Sequence, residues 1–201
     1  MTLNWLSTLV LIAVVAPWSQ WPAAAAAEQT GTWHVDAHRS EVRFTVTKLG
    51  FSDVTGVFRD FTGSVRFDPE HPENSSVQWT TRVASVSTGE RDRDSSLQAS
   101  EYFDAKAHPD LTFVSGRVRR LTPEALEVTG TICIRGVERP LTFVARPVTI
   151  DGRVGFQTDF ELDRYDFNVR GGTVAGRLIG RIVRVRLVAV PSATTEPALR
   201  H

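Results

Sequence analysis

The chain has 201 residues, and its 23 basic and 23 acidic side chains cancel to zero net charge. A balanced chain of this length builds one domain, and it lacks the basic face that a nucleic-acid partner requires. Its one cysteine, Cys133, excludes an intramolecular disulfide and Cys-based metal clusters, and reads as a small strand residue behaving as a hydrophobe.

Residues 1–27 carry no Lys, Arg, Asp or Glu. Leu6 to Ala16 is an apolar run, and Ala23 to Ala27 are all alanine. This is the order of a signal peptide, cut after Ala27, although only the amino terminus supplies positive charge ahead of the run. The expectation is a single mature domain, residues 28–201, in the periplasm or outside the cell. A retained membrane anchor is the alternative. Against it, Pro17 and Pro22 interrupt the segment, and its apolar part falls short of the ~20 residues a spanning helix needs. The mature chain is expected not to span a membrane.

From Thr32 onward the periodicity is two, the signature of half-buried strands. Thr32 to Asp36 is a short strand. Glu41 to Thr47 alternates Val42, Phe44 and Val46 against Arg43, Thr45 and Thr47. Lys48 to Ser52 is a turn. Val57 to Arg59 and Gly63 to Phe67 follow, then a polar loop from Asp68 to Asn74. Ser76 to Val86 places Val77, Trp79, Thr81 and Val83 on one side. Leu111 to Leu121 and Ala125 to Ile134 form a pair, and Arg135-Gly136 turns the chain toward Leu141, Phe143 and Ala145. Asp151-Gly152 is the strongest hairpin signal in the chain. It leads to Val154, Phe156, Thr158, Phe160 and Leu162. Asp163 to Gly176 reads as a polar, glycine-rich loop, Arg181 to Val190 as the last strand, and Pro191 to His201 as a frayed tail.

The connection from Thr88 to His108 reads neither as strand nor as tight turn. Ser87-Thr88-Gly89-Glu90 has capping-box spacing, Ser100 reads as a second helix start, and Pro109 stops what precedes it. Two short helical turns are expected to cross one end of the strands, with Leu97, Tyr102 and Phe103 facing inward.

Many alternating strands with short turns give an all-β fold, an antiparallel barrel or else a sandwich, with short helices in the connection around 88–108, and eight strands would close a barrel whose interior side chains just fill or that holds one small ligand. Arg43, Arg66, Arg82, Arg117, Arg119, Arg184 and Arg186 face solvent. Phe44, Val46, Trp79, Val83, Phe113, Val128, Ile132, Phe143, Phe156, Val183 and Val185 point inward. Gly130, Ala145 and Ala189 on that face either leave a cavity or accommodate a large neighbour opposite.

Few residues promise chemistry. His34 and His38 near Asp36 fall short of the three or four converging ligands a metal needs, and read as rim histidines. The run Arg91-Asp92-Arg93-Asp94 beside Ser95 and Ser96 reads as the solvated face of a short helix. Asp163-Arg164-Tyr165-Asp166-Phe167 reads as a structural corner with an ion pair. The alternative is a rim site in which Arg164 forks onto a polar head group.

Taken together, the pieces resemble the YceI-like family. The resemblance is carried by Trp33, Val35, Asp36 and His38 to Ser40, followed by Val42, Phe44 and Val46; by Gly56, Phe58, Phe61 and Gly63; by Ser85, Val86, Thr88, Gly89, Arg91, Asp92 and Leu97; and by Tyr102-Phe103-Asp104, Pro109, Leu111 and Phe113. It continues through Val128, Gly130, Ile132, Ile134 to Val137, Pro140-Leu141, and Arg164, Tyr165 and Phe167. Arg39, Asn168 and Gly180-Arg181 depart from the family pattern and leave the head-group preference open. The resemblance implies an extended antiparallel eight-stranded lipocalin-like barrel with a hydrophobic channel for a long isoprenoid or other amphiphilic lipid. It implies neither catalysis nor a cofactor, and a monomer or a homodimer fits.

The expected ligand-binding set is Phe44, Val46, Phe58, Trp79, Val83, Leu97, Phe103, Phe113, Ile132, Phe143, Phe156, Phe160, Arg164 and Phe167. The expected function is an exported protein that carries or sequesters a polyisoprenoid or isoprenoid quinone. Two rivals stand beside it: a non-catalytic partner of a membrane redox system with a filled barrel, and an enzyme acting on a lipid, which would need an interior base the apolar alternation does not supply.

Overall fold

The computed structural model describes residues 31–172 and 178–196. The expected signal segment 1–27 and loop residues 173–176 lie outside them.

The described residues form one sheet of twelve antiparallel strands: β1 (Gly31–Val35), β2 (Glu41–Lys48), β3 (Ser52–Phe58), β4 (Phe61–Phe67), β5 (Ser76–Arg82), β6 (Val86–Ser87), β7 (Asp110–Thr122), β8 (Ala125–Ile134), β9 (Val137–Ile150), β10 (Arg153–Asp163), β11 (Ile179–Ala189) and β12 (Pro191–Glu196). The expected count of eight is thereby corrected, and the physical reason is bending. β1 turns directly into β2, β3 into β4, β5 into β6 and β11 into β12, so eight runs of chain make the twelve strands. Each run pairs with the next. The last run returns to the first twice, β11 on β2 and β12 on β1, so the sheet curls back on itself.

That return overturns the expected frayed tail. Pro191–Glu196 pairs with β1 through Thr32↔Glu196 and Trp33↔Thr195. Without it β1 would present an unpaired edge, which stable sheets avoid.

Alternation places the core inside. On β4, Phe61, Gly63, Val65 and Phe67 are buried while Thr62 and Arg66 are exposed. The arginines named above as solvent-facing are all exposed. Several meet carboxylates across the strands, as in the bidentate Arg119–Glu127 contact at 2.5 and 3.0 Å. Such exposed pairs each contribute about 0–1 kcal/mol, so they favour solubility and register more than stability. The Asp151-Gly152 hairpin forms as expected, and the turn at Arg135-Gly136 has the same geometry. Arg135 and Gly136, like Asp151 and Gly152, take positive φ in succession, which matches the right-handed strand twist.

The connection differs from the reading in two ways. The helix α1 (Arg91–Gln98) starts later than the capping-box spacing implied, with Glu90 at its N-cap making no side-chain cap bond. Gly89 takes φ +82, which breaks the spacing. Asp94 instead ties the helix to the residue after β6: its Oδ1 accepts from Thr88 N–H at 2.8 Å and from Thr88 Oγ1 at 2.5 Å. No second helix forms at Ser100. The N–H groups of Tyr102 and Asp104 both donate to Ala99 O, and Asp104 adopts φ +52, a left-handed position that ends the turn.

Candidate functional site

The barrel encloses a cavity of about 460 Å³, within the range of small-molecule sites. Its walls are almost entirely hydrocarbon. Aromatic rings meet along them: Phe44 with Phe58 at 5.6 Å between centroids, Phe113 with Phe143 at 5.3 Å, and Phe143 with Phe160 at 5.5 Å.

The up-and-down topology sorts the connections into two ends. The hairpin at 49–51, the connection 88–109, the turn at 135–136 and the loop from 164 lie at one end. The polar loop 68–75 and the turns at 122–124 and 151–152 lie at the other, near buried Trp33, Phe67, Val118 and Leu126. Three of the first group are tied together. Gly171 N–H donates to Glu101 O at 2.8 Å, and the Arg135 guanidinium donates to Ser100 O at 2.6 Å and to Asn168 O. The cavity reaches this rim at Lys48 and Leu178, and at Arg93 and Ser96 of α1.

Thirteen of the fourteen expected binding residues line the cavity: Phe44, Val46, Phe58, Trp79, Leu97, Phe103, Phe113, Ile132, Phe143, Phe156, Phe160, Arg164 and Phe167. Val83 does not. It sits fully buried in the short 3-10 turn between β5 and β6, where the strand bends away from the alternation, and its N–H donates to Pro109 O. Val128, Val183 and Val185 are in the wall as read. Val65 and Leu141 were missed, although the same alternation marks them. Leu178 lies in no periodic segment, so nothing in the sequence pointed to it.

Arg164 is tied into the backbone of the corner. It is buried, and its guanidinium donates to the carbonyls of Gly180 (2.9 Å), Val169 (2.7 Å), Arg170 (2.8 Å) and Ile179 (2.9 Å). It also stacks over Tyr165 at 4.7 Å. These bonds pin the loop after β10 to the start of β11. The corner's ion pair belongs to Asp163 and Arg181 instead. Burial pushes the Asp163 carboxyl up, but the Arg181 hydrogen bond and the Tyr165 N–H outweigh it and hold the group below its ordinary range.

Of the small inward residues, Ala145 and Ala189 line the cavity, whereas Gly130 accommodates a neighbour. A Cβ on Gly130 would lie 2.6 Å from Phe113 Cζ and closer still to Val114 O. Polar atoms in the wall are few. Trp79 Nε1 donates to Thr81 Oγ1 at 3.0 Å, while Trp33 Nε1 and Thr158 Oγ1 have no hydrogen-bond partner among the described residues. His34 and His38 are exposed, and the described residues hold no group of three or more metal-ligating side chains. Asp36 instead accepts from Arg39 at 2.7 Å.

Comparison with known proteins agrees with this architecture. The family model described as the YceI-like domain matches residues 33–190. A UPF0312 protein of Azotobacter vinelandii is 32% identical over 136 residues, covering 64% of this chain and 70% of the relative. The crystal structure of BcnA from Burkholderia cenocepacia superposes with a TM-score of 0.73 at 26% identity, covering 79% of this chain and 99% of that one. A domain from Saccharophagus degradans, described as polyisoprenoid-binding, shares the fold with a TM-score of 0.64 at 16% identity, covering 81% and 98%.

Proposed function

The chain belongs to the YceI-like domain family, and from that premise we propose that it is an exported protein that takes up and holds one long amphiphilic lipid, a polyisoprenoid or an isoprenoid quinone, inside the barrel. The observation that carries the reading is the cavity of about 460 Å³, walled by aromatic and aliphatic side chains and reaching the rim beside α1 and the β2–β3 hairpin. The Saccharophagus degradans domain is described as binding a polyisoprenoid, and it shares this fold.

Magnitudes favour a long chain. Each buried CH₂ contributes roughly 0.8 kcal/mol, and association costs about 4–15 kcal/mol, so a short ligand would be held weakly. Retention is favoured over turnover: among the described residues, the cavity wall carries no Asp, Glu or His to act as a base. The cavity also weighs against a solidly filled barrel that serves only as a redox partner.

The test is extraction of the purified protein into organic solvent followed by mass spectrometry. Recovery of a polyisoprenoid or quinone at near one per protein is expected. No lipid, together with no uptake of isoprenoids offered in detergent, would overturn the reading.

A further inference from the structure

We infer that the tip of the β2–β3 hairpin, with Leu178 beside it, is a membrane-contact lip through which lipid passes between a bilayer and the cavity. The inference rests on the lipid-holding reading above and adds the surface that partners it.

Phe51 is 83% exposed, and Leu49 and Leu178 are 48% and 44% exposed. An aromatic ring so fully presented to water is unfavourable unless something covers it. The three residues sit together. Leu49 N–H donates to Leu178 O at 2.7 Å, which ties the hairpin tip to the entry of β11. They also sit at the mouth: Leu178 and Lys48, the residues flanking the tip, both line the cavity. A hydrocarbon chain leaving the channel on this side would meet apolar surface.

The backbone of the tip is suited to the headgroup boundary. Leu49 and Gly50 hold positive φ of 54° and 79°, giving a tight turn. The N–H groups of Leu49 and Phe51 are already bonded, to Leu178 O and Lys48 O, so entering an apolar layer strips neither of its partner. Lys48 is exposed at the base of the tip, where an interfacial element carries cationic charge toward anionic headgroups. A folded protein partner is the poorer fit. A convex tip of three side chains falls well short of the roughly 800 Å² per partner of a standard interface, whereas shallow insertion of about 5–10 Å matches it.

The test compares the parent with Leu49→Ser/Phe51→Ser, using vesicles of phosphatidylethanolamine and phosphatidylglycerol. The double variant is expected to retain detergent-delivered isoprenoid like the parent, yet to transfer it between vesicles at least about tenfold more slowly, because the lip's apolar area is lost. A second variant, Phe51→Trp, reports the contact directly. Its emission, taken as the difference from the parent, is expected to shift to the blue with vesicles and to be quenched by brominated acyl chains. Equal transfer rates for parent and double variant, or an unquenched Trp at position 51, would overturn the inference. If no variant retains lipid, the carrier reading fails, while quenching at position 51 still decides the lip.

Discussion

The ring of Phe103, on the connection across the barrel mouth, meets the ring of Phe58 on β3 edge to face, with centroids 6.0 Å apart. Phe103 N–H donates to Leu97 O at 3.0 Å, and both side chains are half-buried in the cavity wall. The cover is thus seated on the barrel by apolar contacts and by the hydrogen bonds that Glu101 O and Ser100 O accept, rather than by strand pairing.

Replacing Leu97 and Phe103 together with Ser is therefore expected to loosen the cover while sparing the barrel. Stability is expected to fall by a few kcal/mol at most, since neither side chain is fully buried. Lipid release is expected to accelerate severalfold, as for other locally opening loops. Stopped-flow release and urea unfolding of the same variant check this. Unchanged release with a collapse in stability would make the pair part of the main core.

Arg164→Met is expected to destabilise the protein by about 3–5 kcal/mol, because the carbonyls of Val169, Arg170, Ile179 and Gly180 lose a buried charged donor. Arg164→Lys is expected to recover only part of the loss, since an ammonium cannot fork across several carbonyls. Urea unfolding measures both. A stable Arg164→Lys protein with altered head-group preference would restore the rim-site reading.

Gly130→Ala is expected to cost about 1–3 kcal/mol, since the added methyl meets Phe113 and the backbone of Val114 with little room to give. An unchanged thermal midpoint would show that the wall is softer than its packing implies.

Much of this architecture was legible in the sequence, and the exceptions share a cause. Strands whose faces alternate without interruption, such as the one carrying Val42, Phe44 and Val46, declared both their existence and their inward side. Val83 was misplaced because the chain bends into a 3-10 turn there, and a bend resets the period. The same bends raised the strand count from eight to twelve. β12 was hidden because Pro191 and the mostly small residues after it carry no apolar pattern, and the pairing with β1 is long-range in sequence. Arg164 could not be assigned from its neighbours in sequence, because among the described residues it reaches the carbonyls of Ile179 and Gly180, across the loop.

The carboxylates set the acid limit. Arg39 holds Asp36 below its ordinary range, Arg43 holds Glu41, Thr47 and Arg184 hold Asp53, and Arg119 holds Glu127. A carboxyl depressed in the folded state contributes stability above its unfolded value, lost as pH falls through the folded one. The unfolding midpoint is expected to be flat from pH 7 to about 5 and to decline below about pH 4, where unfolded carboxyls take up protons first. The raised Arg39, Arg43, Arg119 and Arg181 stay charged throughout that window and do not shape it. A midpoint that rises on acidification would contradict this sign.

The central claim is that the barrel holds lipid by burying its chain, and affinity against tail length tests it most directly. Isoprenoid quinones sharing one head group and differing only in tail would be titrated against the fluorescence of Trp33 and Trp79, both in the cavity wall. The dissociation constant is predicted to fall at least about tenfold for each of the first added isoprene units, then to level off once the cavity is full. An affinity independent of tail length would contradict the account, because the head group alone would then be doing the binding.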